Sequence, residues 1–154
     1  SIYLRLTGSS NNPIIFNKDY KFEIGKSITL KEGKDIIIFS SGSMVYQSLE
    51  AAKILEKKNI SAKVVNMHTI KPIDKFAIED ACKFKLIVSV EEHNVIGGLG
   101  SAIAEHKSSL EKSPKQLILG VKDTYTKGGS YKFLQEKHRL TAEKIVEDII
   151  SNIS

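Results

Sequence analysis

The chain has 154 residues, 41% apolar and 27% charged. That size and balance suit one soluble globular domain and argue against a disordered chain or a two-domain protein. Its +5 charge comes almost wholly from lysine, which makes up 21 of the 23 basic residues. With no stripe of basic residues interleaved with aromatics, nucleic acid is not expected as a partner.

Nothing nears the ~18 apolar residues of a membrane span or looks like a signal peptide, so no membrane association and a cytoplasmic location are expected. Lone Cys82 has no cysteine partner and reads as a small buried apolar residue. Residues 1–6 (SIYLRL) read as a short strand, and TGSSNNPI after them is a cluster of turn formers, the tail of something larger. KSITL alternates, Gly33 gives a tight turn, and DIIIFS is the continuous apolar run of a strand covered on both faces. Joined to DIIIFS by that turn, KSITL is expected to be an antiparallel strand of the same sheet.

From there strand and helix alternate. Val45, Leu49, Ala52 and Leu55 recur at helical spacing behind Ser43 as the expected N-cap. AKVVNM is a strand, HTIKPID a loop, and Asp74 caps the helix KFAIEDACKF. KLIVSV, the helix GGLGSAIAEHKSSL and the strand QLILGV follow. After the loop KDTYTKGG come the helices SYKFLQEK and TAEKIVEDII, the latter with Thr141 as cap and Glu143 near its positive end. The rhythm predicts an α/β fold, a three-layer doubly wound sheet of about five strands, mostly parallel with one antiparallel.

In such sheets ligands gather beyond the carboxyl ends of the strands, where Ser41, Ser43, His68, Glu91, Glu92, His93, Asp123 and Thr124 all fall. Gly98-Leu99-Gly100 opens a dinucleotide-like pattern, with Ile103 where a third glycine belongs. A branched side chain there is expected to hinder close helix packing. Asp123, about twenty residues on, keeps the dinucleotide reading open. The competing reading makes Gly97, Gly98 and Gly100 a tight turn from strand to helix. Glu91, Glu92 and His93 are consecutive, so their side chains diverge, and no second histidine stands at helical spacing as metal sites often have. Chemistry at His93 would need a partner such as His68 or Asp123 across the crevice.

Taken in order, FEIGKSITLKEGKDIIIFSSGSM, VVNMHTIKPID, VSVEEHNVIGGLGSAIAE, VKDTYTKGGS and LTAEKIVEDI resemble the C-terminal domain of thiamine-diphosphate-dependent transketolases, above all the separate C-terminal subunit of split bacterial forms. Deoxyxylulose-phosphate synthases and the beta subunits of 2-oxoacid dehydrogenases share the plan, but usually differ at His93. The resemblance implies ketol transfer between sugar phosphates by a complete enzyme whose thiamine diphosphate and Mg are held by other domains. This chain would supply no cofactor ligand and no catalytic residue, would be inactive alone, and would help build a homodimer. Residues 1–24 would then be the tail of the preceding pyrimidine-binding domain and linker, and 25–154 the C-terminal domain. Glu91, Glu92, His93 and Asn94, with His68, Asp123 and the three glycines, are the candidates for contact with neighbouring domains or the active-site entrance. A free-standing nucleotide-binding or regulatory module is the rival reading.

Overall fold

A computed structural model describes residues 1–6, 13–16 and 19–153. Strands β1 (Ile28–Lys31), β2 (Ile36–Ser40), β3 (Ala62–Asn66), β4 (Leu86–Asn94) and β5 (Lys115–Val121) form one sheet in the order β1-β3-β2-β4-β5. The last four are parallel, with Ile38 level with Val64 on one side and Val88 on the other. The expected α/β sheet is present, with its single antiparallel strand. One pairing differs from a simple hairpin. β1 pairs with β3, Ile28 opposite Asn66, so the turn at Gly33 joins strands that are not neighbours.

The helices α1 (Met44–Glu56), α2 (Lys75–Asp80), α3 (Leu99–Lys107), α4 (Tyr131–Lys137) and α5 (Ala142–Ile150) connect the strands or follow them. Alternate residues of β2 and β4 feed two cores, as strand geometry requires. Ile36, Ile38, Val88 and Val90 pack with α1 and α5, and Ile37, Phe39 and Ile87 with α2 and α3. Both faces are therefore covered, and Ile36–Ser40 of DIIIFS are buried throughout because they have no solvent side, with Asp35 part-exposed at the entry.

Caps fix the helix starts. Asp74 Oδ1 accepts the Ala77 N–H at 3.2 Å, while its Oδ2 accepts the N–H and hydroxyl of Ser27 at 2.7 and 2.9 Å, tying α2 to the entry of β1. Thr141 caps α5 as expected.

Several local expectations need correction. Residues 1–6 adopt no regular structure and are exposed, since a strand needs a neighbour to complete its hydrogen bonds. The turn-former cluster TGSSNNPI lies mostly outside the described residues. The helix at 75–84 stops at Asp80 and tightens into a 3-10 turn, Ala81–Lys83, which leaves Cys82 only half-buried. Ser43 precedes α1 but makes no cap bond to it.

Candidate functional site

The crossovers that leave β2 and β4 run to opposite sides, so the crevice of this sheet opens between their carboxyl ends. The Ser41 N–H donates to Val90 O at 3.4 Å across it, and Gly42 turns with φ +58°. The Ser43 hydroxyl is directed away from its own helix because it donates to Glu92 Oε2. The Tyr131 hydroxyl donates to that same oxygen at 2.9 Å. One carboxylate thus joins β4, the start of α1 and the start of α4. Partial burial pushes the Tyr131 phenol above its ordinary value; the Ser43 contact opposes this and the neighbouring Glu92 reinforces it.

Glu91 points the other way. It is 2% exposed, and its two oxygens accept the N–H groups of Leu99 at 2.6 Å and Gly100 at 2.8 Å. Strand alternation explains the split: consecutive carboxylates on β4 serve the helices on opposite faces of the sheet.

The glycine turn follows from Glu91. The first N–H groups of a helix attract anions, and here a buried carboxylate of the chain takes that place. A Cβ on Gly98 would collide with the Glu91 carboxylate, and one on Gly100 would come 2.5 Å from Ile118 Cγ2. Gly97, at φ +79°, makes the turn itself. The geometry is that of a strand-to-helix turn. Ile103 does not hold α3 off the sheet. It is fully buried in the core, because close approach is made one turn earlier, at Gly100.

Asn94 bridges two loops, its Nδ2 donating to Asp123 Oδ1 at 3.2 Å and its Oδ1 accepting the Ile96 N–H at 2.8 Å. His93 is exposed, with Nδ1 2.9 Å from Asn94 O, and neither His68 nor Asp123 is its hydrogen-bond partner. His68 belongs to a different contact set beside β3. Its Nε2 lies 3.2 Å from Glu23 O, and its ring is 4.7 Å from that of Phe22. The candidates therefore separate into Glu92 with Ser43, Glu91 with the glycine turn, Asn94 with Asp123, and His68 with the segment before β1. Among the described residues, no group of three or more His, Cys, Asp and Glu side chains is arranged to hold a metal ion. Tyr131 is the member of this site that sequence reasoning missed. Its signal was a hydroxyl-bearing aromatic opening a helix after a carboxyl-end loop.

A model of the transketolase C-terminal domain matches residues 25–145, from the approach to β1 into α5. The chain belongs to the transketolase C-terminal domain family. Within that family it is 36% identical over 153 residues to a protein of Methanocaldococcus jannaschii named for a transketolase C-terminal section, covering 99% of this chain and 48% of the relative. A 1-deoxy-D-xylulose-5-phosphate synthase of Dictyoglomus turgidum is 38% identical over 88% of this chain and 22% of its own length. A solved split-gene transketolase, described as an inactive β4 tetramer, superposes with a TM-score of 0.83 at 40% identity, covering 92% of this chain and 45% of that one. The chain thus spans about half the length, or less, of the transketolase-family proteins it matches here.

Proposed function

We propose that this chain is the C-terminal domain of a thiamine-diphosphate-dependent transketolase, a transferase that moves two-carbon ketol units between sugar phosphates. Its own part is structural. It docks on the domains or subunit that hold thiamine diphosphate and magnesium, helps build a homodimer in the cytoplasm, and has no turnover alone. Residues 1–24 are the end of the preceding domain and its linker.

The observation that carries this division of labour is Glu91. A diphosphate would need open N–H groups at a helix start and oxygen ligands for its metal. At α3 the N–H groups of Leu99 and Gly100 already meet a buried carboxylate, and no metal-binding cluster stands among the described residues. The residues present do not fit the cofactor, which supports placing it on other domains. A similar split-gene protein described as inactive when assembled from beta chains agrees with this reading. The synthase relatives share the domain, but the match to the C-terminal section covers 99% of this chain against 88%.

The test has two arms. Calorimetry on the 154-residue chain with thiamine diphosphate and magnesium should give no binding tighter than millimolar, weaker than about −4 kcal/mol. The same chain joined to its cofactor-binding domains should transfer ketol units from xylulose 5-phosphate. Tight cofactor binding by the chain alone, or no transfer by the complete protein, would overturn the proposal.

A further inference from the structure

The large apolar side chains left exposed are unevenly placed. From residue 25 onward, all but Ile150 are Ile70, Phe76, Ile96, Tyr125, Tyr131 and Phe133. These six stand on the loops that leave the carboxyl ends of β3, β4 and β5, or on the first turn of the helix that follows. The loops at the opposite end of the sheet, residues 32–35, 57–61 and 108–114, carry none of them. Exposed apolar residues scattered singly are ordinary, but six gathered at one end of a sheet mark an interaction face. Helix α4, which presents Tyr131 and Phe133, contributes no buried residue to the fold.

The chain itself indicates what covers this face. Because β1 runs antiparallel to β3, the segment before residue 25 reaches the fold beside the carboxyl end of β3. It is held there by Phe22 against His68 and by the Gly25 N–H, which donates to Thr69 Oγ1 at 3.0 Å. That segment is apolar and exposed at Ile2, Leu4, Leu6 and Ile14. Charge adds a second constraint. Lys71, Lys75, Lys122, Lys127 and Lys132 lie in the same loops and first turns, while the carboxylates of Glu92 and Asp123 are already hydrogen-bonded within the domain.

We infer that the carboxyl end of the sheet is the surface on which the domain preceding residue 25 packs, through an apolar centre ringed by acidic residues that answer the lysines. The inference rests on the reading of residues 1–24 as the tail of that domain.

Accessibility of introduced cysteines in the complete protein tests it. In a Cys82→Ser background, Ile96→Cys and Tyr125→Cys report on the proposed face, and Lys112→Cys on the opposite end. All three positions are exposed in the domain by itself. Packing should slow maleimide labelling at 96 and 125 by about tenfold or more relative to 112, as expected for the buried centre of an interface. Equal rates at the three positions would overturn the inference. Protection that disappears on dilution would overturn it too, assigning the face to a second copy of the chain. Protection that persists on dilution in a protein without ketol transfer would uphold the packing face and remove only the enzymatic reading.

Discussion

Glu91 and Gly100 are joined by a 2.8 Å hydrogen bond from the first turn of α3 to a buried carboxylate nine residues earlier, and the other oxygen of that carboxylate holds Leu99. This pair of bonds ties the first turn of α3 to β4. Glu91→Gln keeps the shape but presents an amide where one N–H needs an acceptor. It should cost about 1–3 kcal/mol, the range for an unmet buried polar group. Urea denaturation of the domain checks it, and a midpoint unchanged from the parent would show that the carboxylate is dispensable.

The three glycines should respond differently to alanine. At Gly97 a Cβ meets nothing within 4 Å, so only the φ of +79° opposes it, at about 1 kcal/mol. Gly98→Ala drives a methyl into the Glu91 carboxylate, and Gly100→Ala drives one into Ile118. Each of these should cost more than Gly97→Ala, in the range of about 1–3 kcal/mol for overpacking. Thermal unfolding of the three variants ranks them. A Gly97 variant less stable than the other two would contradict the geometry.

Tyr131 links pH to stability. Its phenol titrates above the ordinary value of 10.0, chiefly through burial. The folded chain therefore holds this proton more tightly than the unfolded chain does. The associated stability is complete below pH 10 and is lost as pH rises through the folded value. Tyr131→Phe should flatten that alkaline loss while leaving the unfolding midpoint near neutrality within about 1 kcal/mol. Denaturation from pH 8 to 11 gives the comparison, and identical alkaline slopes in parent and variant would remove Tyr131 as the cause.

Asp35 works at the opposite extreme. Its Oδ2 accepts the Ser61 N–H at 2.8 Å, and Lys85 stands 3.3 Å from Oδ1. The backbone bond first, and the lysine after it, hold the carboxyl below its ordinary 3.8. The stability it confers is present above that value and is lost as pH falls through the lower folded value. Asp35→Asn should therefore weaken the acid dependence below pH 4. An unaltered acid transition would dissociate Asp35 from it.

The sheet was readable because runs such as DIIIFS and KLIVSV have no polar face, and a strand enclosed on both sides leaves that signature. Pairing order was not readable. A tight turn at Gly33 looks the same whether the next partner is β2 or β3, and the answer depends on where α1 returns the chain. In the crevice, divergence of Glu91 and Glu92 was expected from adjacency alone, and the structure gives it meaning by assigning each carboxylate to a different helix. The loss of Ser43 as a cap and the role of Tyr131 share one cause. Both depend on Glu92, which lies 49 and 39 residues away from them. No local pattern encodes contacts at that distance. His93 drew notice by its company in the sequence, yet among the described residues its ring has a hydrogen-bond partner only in the next carbonyl.

The placement of β1 has a mechanical consequence. Whatever lies before residue 25 is fastened to the outermost strand, four residues long, through Ile28, Thr29 and Lys31 against β3. The parallel sheet from β3 to β5 and both cores are complete without it. A load arriving along the leading segment would fall first on the Phe22–His68 and Gly25–Thr69 contacts, then on the Ser27–Asp74 bonds and this short antiparallel strip, before reaching the interior.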